Sequence, residues 1–225
     1  MEKRKIIIGN YDTAAHGWTL TGWELSPPEQ KTHYLDKPSG DGSWDLSTAL
    51  TDGLPRYYDR QLTATLELST GTRADRETVI RNMVNTLDGY RCEIKLPDDP
   101  DHYIVSRVHV AREYNTPAHA AVTITATCEP WRYATTPVLV GRSVGTSKQT
   151  VTLSNRGKRA VVPTIEISNL LGSSVLLEYG TTSVSLGNGK HTWPALLLTP
   201  GDHVLTYSST GTANLVVTYR EAVLE

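Results

Sequence analysis

The chain has 225 residues, of which 38% are hydrophobic and 20% are charged, and its formal net charge at pH 7 is −2. This length is enough for two compact modules, and the composition is typical neither of a disordered chain nor of a membrane protein. The near-neutral charge argues against sequence-specific nucleic-acid binding, because phosphate contacts need clustered Lys and Arg.

The chain begins with a basic head, residues 1–5, and a three-residue apolar run, residues 6–8. A signal peptide needs about 7 to 15 apolar residues and a transmembrane helix about 20. We therefore expect neither a secretion signal nor membrane insertion. Apolar and polar residues then alternate in six predicted strands, at residues 5–9, 18–25, 60–69, 90–96, 103–113 and 120–128.

In the segment between residues 26 and 60, apolar residues do not recur at strand or helix spacing, because Pro and Gly interrupt the pattern repeatedly. It nevertheless carries Trp44, Tyr57 and Tyr58, and aromatic residues are depleted in disordered segments. Two interpretations are open. The segment is an arm that packs on a neighbouring subunit, or it is a surface loop whose aromatic side chains fold back onto their own domain.

One helix is predicted over residues 73–87, where Val79, Ile80, Met83, Val84 and Leu87 form an apolar stripe at three- and four-residue spacing. Thr72 and Asp75 have the spacing of a capping box, and Gly89 is suited to the helix end. A helix packed on a sheet predicts an α+β module over residues 1–135.

The pattern of residues 136–225 predicts a second module made of strands and turns. The predicted strands are residues 137–140, 149–153, 162–168, 174–179, 183–186, 192–198, 203–207 and 214–220. Short strands at this spacing predict a β-sandwich. Pro200-Gly201 suits a type II turn, so we expect a hairpin between the strands at 192–198 and 203–207.

The sequence contains partial matches to enzyme and metal-binding motifs, but none of them predicts a catalytic or metal site. Gly141 to Gly145 satisfies G-x-S-x-G around Ser143, but another strand follows where a nucleophile elbow requires a helix. Asp98, Asp99 and Asp101 lack the Gly and the distal Glu of an EF-hand loop, so a solvated turn is favoured over a Ca²⁺ site. The histidines do not have zinc-ligand spacing. We predict no catalytic, cofactor or metal site.

Two smaller questions concern cysteine and tryptophan. Cys92 and Cys128 lie on alternating strand patterns and are expected to be free thiols packed as small hydrophobes. Trp193 either packs in the sandwich core or stacks on a sugar ring at its rim. The second interpretation makes the chain a non-catalytic carbohydrate-binding module for a cell-wall or host-surface glycan.

A set of short motifs in a fixed order resembles a known family, the distal tail proteins of long-tailed, non-contractile phages and related prophage tail components. The motifs are Gly-Leu-Pro-Arg at 53–56 before the strand at 60, the helix after that strand, Cys-Glu-Pro-Trp-Arg-Tyr at 128–133, Asn-Arg-Gly at 155–157, Pro-Thr-Ile-Glu-Ile at 163–167, Leu-Thr-Pro-Gly-Asp at 198–202 and Val-Thr-Tyr-Arg-Glu at 217–221. The resemblance covers nearly the whole chain.

The resemblance implies a structural virion protein without cofactors: a hexameric ring of the N-terminal domain that joins the tail tube protein to the tail-tip protein, with a galectin-like C-terminal β-sandwich outside. It implies a location at the phage tail tip after assembly in the host bacterial cytoplasm. By the same analogy the segment 26–60 grips the next subunit, and the expected contacts are Trp44, Arg56, Tyr57, Tyr58 and Arg60.

Overall fold

The structure is a computed structural model that describes residues 4–51 and 53–225. The start of the basic head considered as a signal sequence, residues 1–3, lies outside the described residues, as does Asp52. The protein is mainly β, as predicted, and separates into two compact units, Met1–Arg132 and Tyr133–Glu225. Among the described residues, no helix is long and apolar enough to cross a bilayer. The domain boundary at residues 135 and 136 stays a prediction.

Unit 1 is built on an antiparallel sheet with one α-helix and a short 3₁₀ helix at Ala14–His16 among its described residues. Its elements are β1 (Ile7–Ile8), β2 (Tyr11–Asp12), β3 (Thr19–Leu25), β4 (Tyr34–Asp36), β5 (Ser43–Asp45), β6 (Arg60–Leu68), α1 (Arg73–Leu87), β7 (Arg91–Leu96), β8 (Asp99–Asn115) and β9 (Ala120–Ala134), whose last two residues belong to unit 2. The strand order in the sheet is β2-β1-β7-β8-β9-β6-β3, and β4 and β5 form a separate ribbon.

The alternation in the sequence decides which strand faces are buried. On β6, Leu62, Ala64, Leu66 and Leu68 are buried, and their sequence neighbours Thr63, Thr65 and Glu67 are more exposed. Strand β8 is longer than predicted and begins at Asp99, so the acidic turn shrinks to Pro97 and Asp98. The buried face of the sheet packs against α1 through a common core that includes residues of β6, β8 and β9.

Helix α1 has the predicted bounds and the predicted capping box. The Thr72 hydroxyl accepts a hydrogen bond from the Asp75 amide at 3.3 Å, and the Asp75 carboxylate accepts one from the Thr72 amide at 2.9 Å. The bond from the Thr72 amide is the main reason why the pKa of Asp75 lies below its usual value. Ile80, Met83 and Leu87 are buried on the core side.

Replacing Thr72 by Ala is expected to lower the free energy of unfolding of unit 1 by about 1 kcal/mol, because an amide of the first helical turn loses its acceptor. Hydrogen exchange of peptides from α1 measures the change. The matched control is Thr78→Ala, since the Thr78 hydroxyl is exposed and donates to the Ala74 carbonyl within the helix, at 3.2 Å. The control should leave stability unchanged or raise it slightly, because Ala favours helix. Equal losses in both variants would contradict a capping role.

Unit 2 is a β-sandwich. Its strands are β10 (Val138–Val144), β11 (Gln149–Asn155), β12 (Thr164–Leu171), β13 (Val175–Tyr179), β14 (Thr182–Leu186), β15 (Gly189–Thr192), β16 (Gly201–Ser209), β17 (Thr212–Tyr219) and β18 (Ala222–Val223). One sheet has the order β10-β17-β12-β15 and the other the order β11-β16-β13-β14. Buried apolar side chains of both sheets, such as Ile165 and Leu205, share one core.

The predicted strand at 192–198 and its Pro-Gly hairpin are wrong. Strand β15 ends at Thr192, and the Leu196 amide then bonds the Trp193 carbonyl in a turn, because Pro194 has no N–H with which to continue a ladder. Leu196 and Leu198 are buried, so the apolar run fills the core without forming a strand. Strand β16, which begins at Gly201, pairs with β11 and β13 instead.

The motif Asn155-Arg156-Gly157 has a structural role in unit 2. The buried Asn155 amide nitrogen donates to the carbonyls of Arg159 and Leu198, each at 2.9 Å, and its oxygen accepts from the Gly157 amide at 3.0 Å. Gly157 lies directly against the backbone of Ala222 on β18. The motif therefore closes the turn after β11 and holds the C-terminal strand in place.

Candidate functional site

The irregular segment 26–60 is an arm that leaves β3 and returns to β6. Its base is fastened by backbone hydrogen bonds from Ser26 to the Gln61 carbonyl at 2.9 Å, and from Tyr58 to the Glu29 carbonyl at the same distance. The Lys31 amide donates to the Arg56 carbonyl at 2.8 Å. The arm therefore projects as a paired structure, which the sequence did not predict.

Beyond this base, β4 and β5 form an antiparallel ribbon. Tyr34 lies opposite Asp45, Leu35 opposite Trp44, and Asp36 opposite Ser43. The Leu46 amide continues the pairing by donating to the His33 carbonyl at 2.8 Å. We call residues 33–46 the ribbon. All the side chains of β4 and β5 are exposed.

The ribbon has two chemically different faces, because successive side chains of a strand alternate. Leu35, Trp44 and Leu46 lie on one face, and Leu35 and Trp44 are 50% and 49% exposed. Tyr34, Asp36 and Asp45 lie on the other. A two-stranded ribbon is marginally stable alone in water, and contiguous exposed apolar side chains mark interaction surfaces. The ribbon is therefore the strongest candidate functional site in unit 1.

The aromatic residues at the base of the arm have different surroundings. Tyr57 is half-buried and makes an edge-to-face contact with Trp131, with ring centroids 5.4 Å apart. Tyr58 is exposed, and the Lys31 ammonium lies 5.1 Å from the centre of its ring. Arg56 is also exposed. The interpretation that aromatics fold back onto their own domain thus describes Tyr57, whereas Trp44 projects into solvent.

Arg60, expected at the subunit contact, is instead 2% exposed within unit 1. Its Nε donates to the Ser26 carbonyl at 2.6 Å. Arg60 is the first residue of β6, and it points to the core side of the strand in register with Leu62. It fastens the root of the arm, and a side chain buried in this way has no surface to offer a neighbour.

Leu35 and Leu46 were missed by sequence reasoning. Their signal is a pair of alternating triplets, Tyr34–Asp36 and Ser43–Asp45, on either side of a Gly-rich turn that contains Gly40 and Gly42. Three-residue strands are too short for periodicity to stand out. Only the pairing of the two triplets shows that Leu35 and Trp44 share a face.

Ser143 lies inside strand β10 and pairs with Asn214 on β17. The strand continues to Val144, so Ser143 does not occupy the sharp strand-to-helix turn on which a nucleophile elbow depends. The G-x-S-x-G match thus falls on ordinary sheet.

The Asp99 carboxylate is held by two side chains, with the His102 ring nitrogen Nδ1 at 2.8 Å and the Arg132 guanidinium at 3.0 Å. Burial alone raises the pKa of Asp99, but these hydrogen bonds outweigh it and keep the pKa below its usual value. The acidic residues at 98–101 therefore do not act together as a ligand set. Within residues 4–51 and 53–225, no group of three or more His, Cys, Asp or Glu side chains is placed to hold a metal ion.

Both cysteines are free thiols, as expected. Cys128 is fully buried, and burial raises the pKa of its thiol to about 12. Cys92 is half-buried, and burial raises its pKa as well. Thiols with raised pKa values are poor nucleophiles and poor metal ligands at neutral pH.

Trp193 follows β15 and packs against the core of unit 2 while part of its side chain stays accessible. Pro194 on its C-terminal side is exposed. Packing against the core accounts for the buried part of the side chain, and sugar stacking at Trp193 stays a prediction.

Comparisons with known proteins show which solved structures share this fold. No family model and no curated protein matches the sequence. Among solved structures, the Dit (gp 19.1) protein of phage SPP1, described as a paradigm of the hub adsorption apparatus of phages that infect Gram-positive bacteria, is 15% identical and has a TM-score of 0.68 over 97% of this chain and 99% of that one. The phage P2 baseplate in its Ca-activated conformation contains a chain that is 9% identical, with a TM-score of 0.50 over 97% and 98%. The chain therefore has the fold of phage hub and baseplate proteins, and the resemblance to distal tail proteins is confirmed at the level of the fold.

Proposed function

We propose that this protein is a structural component of a phage tail, a distal tail adaptor. The observation that carries the proposal is the similarity to SPP1 Dit, which extends over 97% of this chain and 99% of that protein. A match over the full length of both chains includes the arm as well as both units. In this proposal residues 1–135 form the ring domain and residues 136–225 an outward galectin-like sandwich.

The adaptor acts as a hexameric ring that joins the tail tube to the tail tip. A closed ring needs a heterologous contact, in which each subunit presents one surface to one neighbour and a different surface to the other. The apolar face of the ribbon supports this proposal, since Leu35 and Trp44 lie opposite each other and they and Leu46 are exposed. Subunits of this kind would be made in the host cytoplasm and become part of the virion.

The paired substitution Leu35→Ser and Trp44→Ser is expected to weaken self-association at least a hundredfold, because two apolar side chains central to the contact are lost. Native mass spectrometry and light scattering over a range of protein concentrations measure the oligomer. Negative-stain imaging checks for six-fold rings in the unmodified protein.

The matched control is Leu139→Ser, since Leu139 is also an exposed leucine and lies on β10 of unit 2. It should leave the oligomer unchanged. Unmodified protein that remains strictly monomeric at all concentrations would overturn the ring proposal. If Leu139→Ser disrupts the rings as strongly as the paired ribbon substitution does, the ribbon is not the subunit contact.

A further inference from the structure

Strand β11 is an edge of the sandwich in unit 2 that lacks the usual protections against pairing. It is the first strand in the order β11-β16-β13-β14, and its seven residues, Gln149–Asn155, are in unbroken register with β16. The strand contains no charged residue, Pro or Gly. Exposed edges are usually short, bulged or interrupted by Pro or charge, because unpaired backbone groups recruit other strands.

The other three edges of the sandwich carry such protections. Strand β10 contains Gly141 and the exposed Arg142. Strand β14 has five residues, and β15 has four residues and contains Lys190. Strand β11 is therefore the edge of unit 2 that is best suited to receive another strand.

The hydrogen bonds of β16 show which backbone groups of β11 are directed outward. The Ser209 amide donates at 2.8 Å to the carbonyl of Gly145, in the connection into β11, and the Thr210 amide donates at 3.3 Å to the carbonyl of Ser174, just before β13. Successive residues of a strand direct their backbone groups to opposite sides, so odd-numbered residues of β16 bond β11. The register joins them to odd-numbered residues of β11.

Thr150, Thr152 and Ser154 therefore direct their amides and carbonyls away from β16. Thr150 and Thr152 are exposed. The Tyr219 hydroxyl donates to the Ser154 carbonyl at 2.8 Å, and that carbonyl keeps a second lone pair. Within residues 4–51 and 53–225, no strand pairs with this side of β11. The edge thus offers a row of strand donors and acceptors to a further strand.

The sequence of β11 is complementary to itself when it is reversed about Thr152. If two copies pair antiparallel with Thr152 on the two-fold axis, Thr150 lies opposite Ser154 of the second copy, and each such pair exchanges two hydrogen bonds. Thr–Thr and Thr–Ser pairs stabilise antiparallel strands. On the other face Val151 lies opposite Leu153 of the second copy, and both belong to the core of unit 2.

The charges that flank the strand are compatible with this pairing. Lys148 would lie opposite Arg156 of the second copy, and like charges opposed across a contact weaken it. The Lys148 ammonium, however, is paired with the Glu178 carboxylate at 2.6 Å. The Arg156 amide donates to the Glu221 carboxylate at 2.8 Å. A carboxylate therefore lies near each of the two opposed positions.

We infer that β11 pairs antiparallel with β11 of a second copy of this chain, about a two-fold axis at Thr152. The two four-stranded sheets then become one eight-stranded sheet in which each edge covers the other. Such an isologous contact uses the same surface on both copies and closes at two. It goes beyond the proposed ring, because it lies on unit 2 and the ring contact lies on the ribbon of unit 1, so that either proposal can fail without the other.

The paired substitution Leu35→Ser and Trp44→Ser provides the background for the test, because it weakens the proposed ring contact. In this background the full-length protein is expected to form a concentration-dependent dimer in analytical ultracentrifugation. A strict monomer at all concentrations would overturn the β11 contact. Six-fold rings of the unmodified protein, seen together with that monomer, would leave the ring proposal standing.

Opposite charges at position 152 test the two-fold axis. In the same background, Thr152→Lys and Thr152→Glu are each expected to weaken the dimer about tenfold, because only an axis through residue 152 places each new charge opposite itself. An equimolar mixture should recover dimers with one copy of each variant in native mass spectrometry. The control Ser185→Lys, at an exposed position on β14, should leave the dimer unchanged. Dimers that survive both substitutions, or that the mixture does not restore, would overturn the assignment.

Removal of one amide tests whether the contact is made by the backbone. Thr152→Pro deletes an N–H that faces the second copy, and Pro is tolerated on edge strands at such positions. The dimer is expected to weaken about tenfold or more, since each copy loses a bond at the axis, whereas Thr152→Val keeps the amide and should dimerise as before. Hydrogen exchange of peptides covering residues 201–209 checks that unit 2 stays folded. Equal dimerisation of the two variants would contradict strand pairing.

Discussion

Replacement of Arg76 by Met is expected to lower the free energy of unfolding of unit 1 by about 3 kcal/mol. Arg76 lies on α1 and is 1% exposed. Its guanidinium donates to the carbonyls of Gly71 at 2.7 Å, Thr116 at 2.7 Å and Pro117 at 2.8 Å. Met fills much of the volume but donates nothing, so three partly buried carbonyls lose a charged donor.

The effect should concentrate where α1 meets the turn between β8 and β9. Hydrogen exchange of peptides covering residues 70–78 and 113–120 measures it separately from any change in unit 2. The matched control is Arg73→Met, since Arg73 is exposed in the first turn of the same helix. A control within about 0.5 kcal/mol of the unmodified protein is expected, as for most surface substitutions. If Arg76→Met lowers the free energy of unfolding as little as the control does, the turn between β8 and β9 does not depend on this guanidinium.

Substitution of Gly157 by Ala is expected to destabilise unit 2 by about 3 kcal/mol through backbone overlap. A Cβ at Gly157 would lie 2.7 Å from both the nitrogen and the oxygen of Ala222. Neither atom belongs to a flexible side chain, so β18 must move away. That movement also breaks the hydrogen bond at 2.7 Å from the Lys158 amide to the Ala222 carbonyl.

Gly141→Ala is the control, because a Cβ at Gly141 would meet no heavy atom of the described residues within 4 Å. It should change the free energy of unfolding by no more than about 0.5 kcal/mol. Hydrogen exchange of peptides that contain residues 155–160 and 220–225 should show faster exchange in Gly157→Ala alone. Protection that remains intact in that variant would mean that β18 accommodates a methyl group, contrary to the expectation.

Much of the secondary structure follows from local pattern. The period-2 alternation at residues 60–69 and 120–128 gave β6 and most of β9, and the stripe from Val79 to Leu87 gave α1 with its cap at Thr72. These signals are local because side-chain direction depends on strand or helix geometry alone. Pro194 and Pro200 are also visible in the sequence, yet the apolar run between them predicts a strand of a hairpin where the structure has a turn. Apolar side chains fill a core in a turn as well as in a strand.

The candidate site was only partly predictable. Trp44 stood out as an aromatic residue in an irregular segment, whereas Leu35 and Leu46 became significant only when pairing placed them beside it. Strands β1 and β7 pair with Ile7 opposite Lys95, and no spacing rule connects two segments so distant in sequence. Charge pattern alone also failed to separate the buried Arg60 from the exposed Arg56 four residues earlier.

The sequence by itself determined that this is a mainly β protein with one helix at residues 73–87, because periodicity and capping are properties of neighbouring residues. The tertiary structure decided which charged side chains are buried and which apolar ones are left outside. Arg76 is buried because Thr116 and Pro117, about 40 residues away, bring their carbonyls to it. Leu35 and Trp44 are exposed on a ribbon in which β4 and β5 pair with each other, separate from the large sheet of unit 1. Both outcomes depend on contacts between distant segments, which only the folded chain brings together.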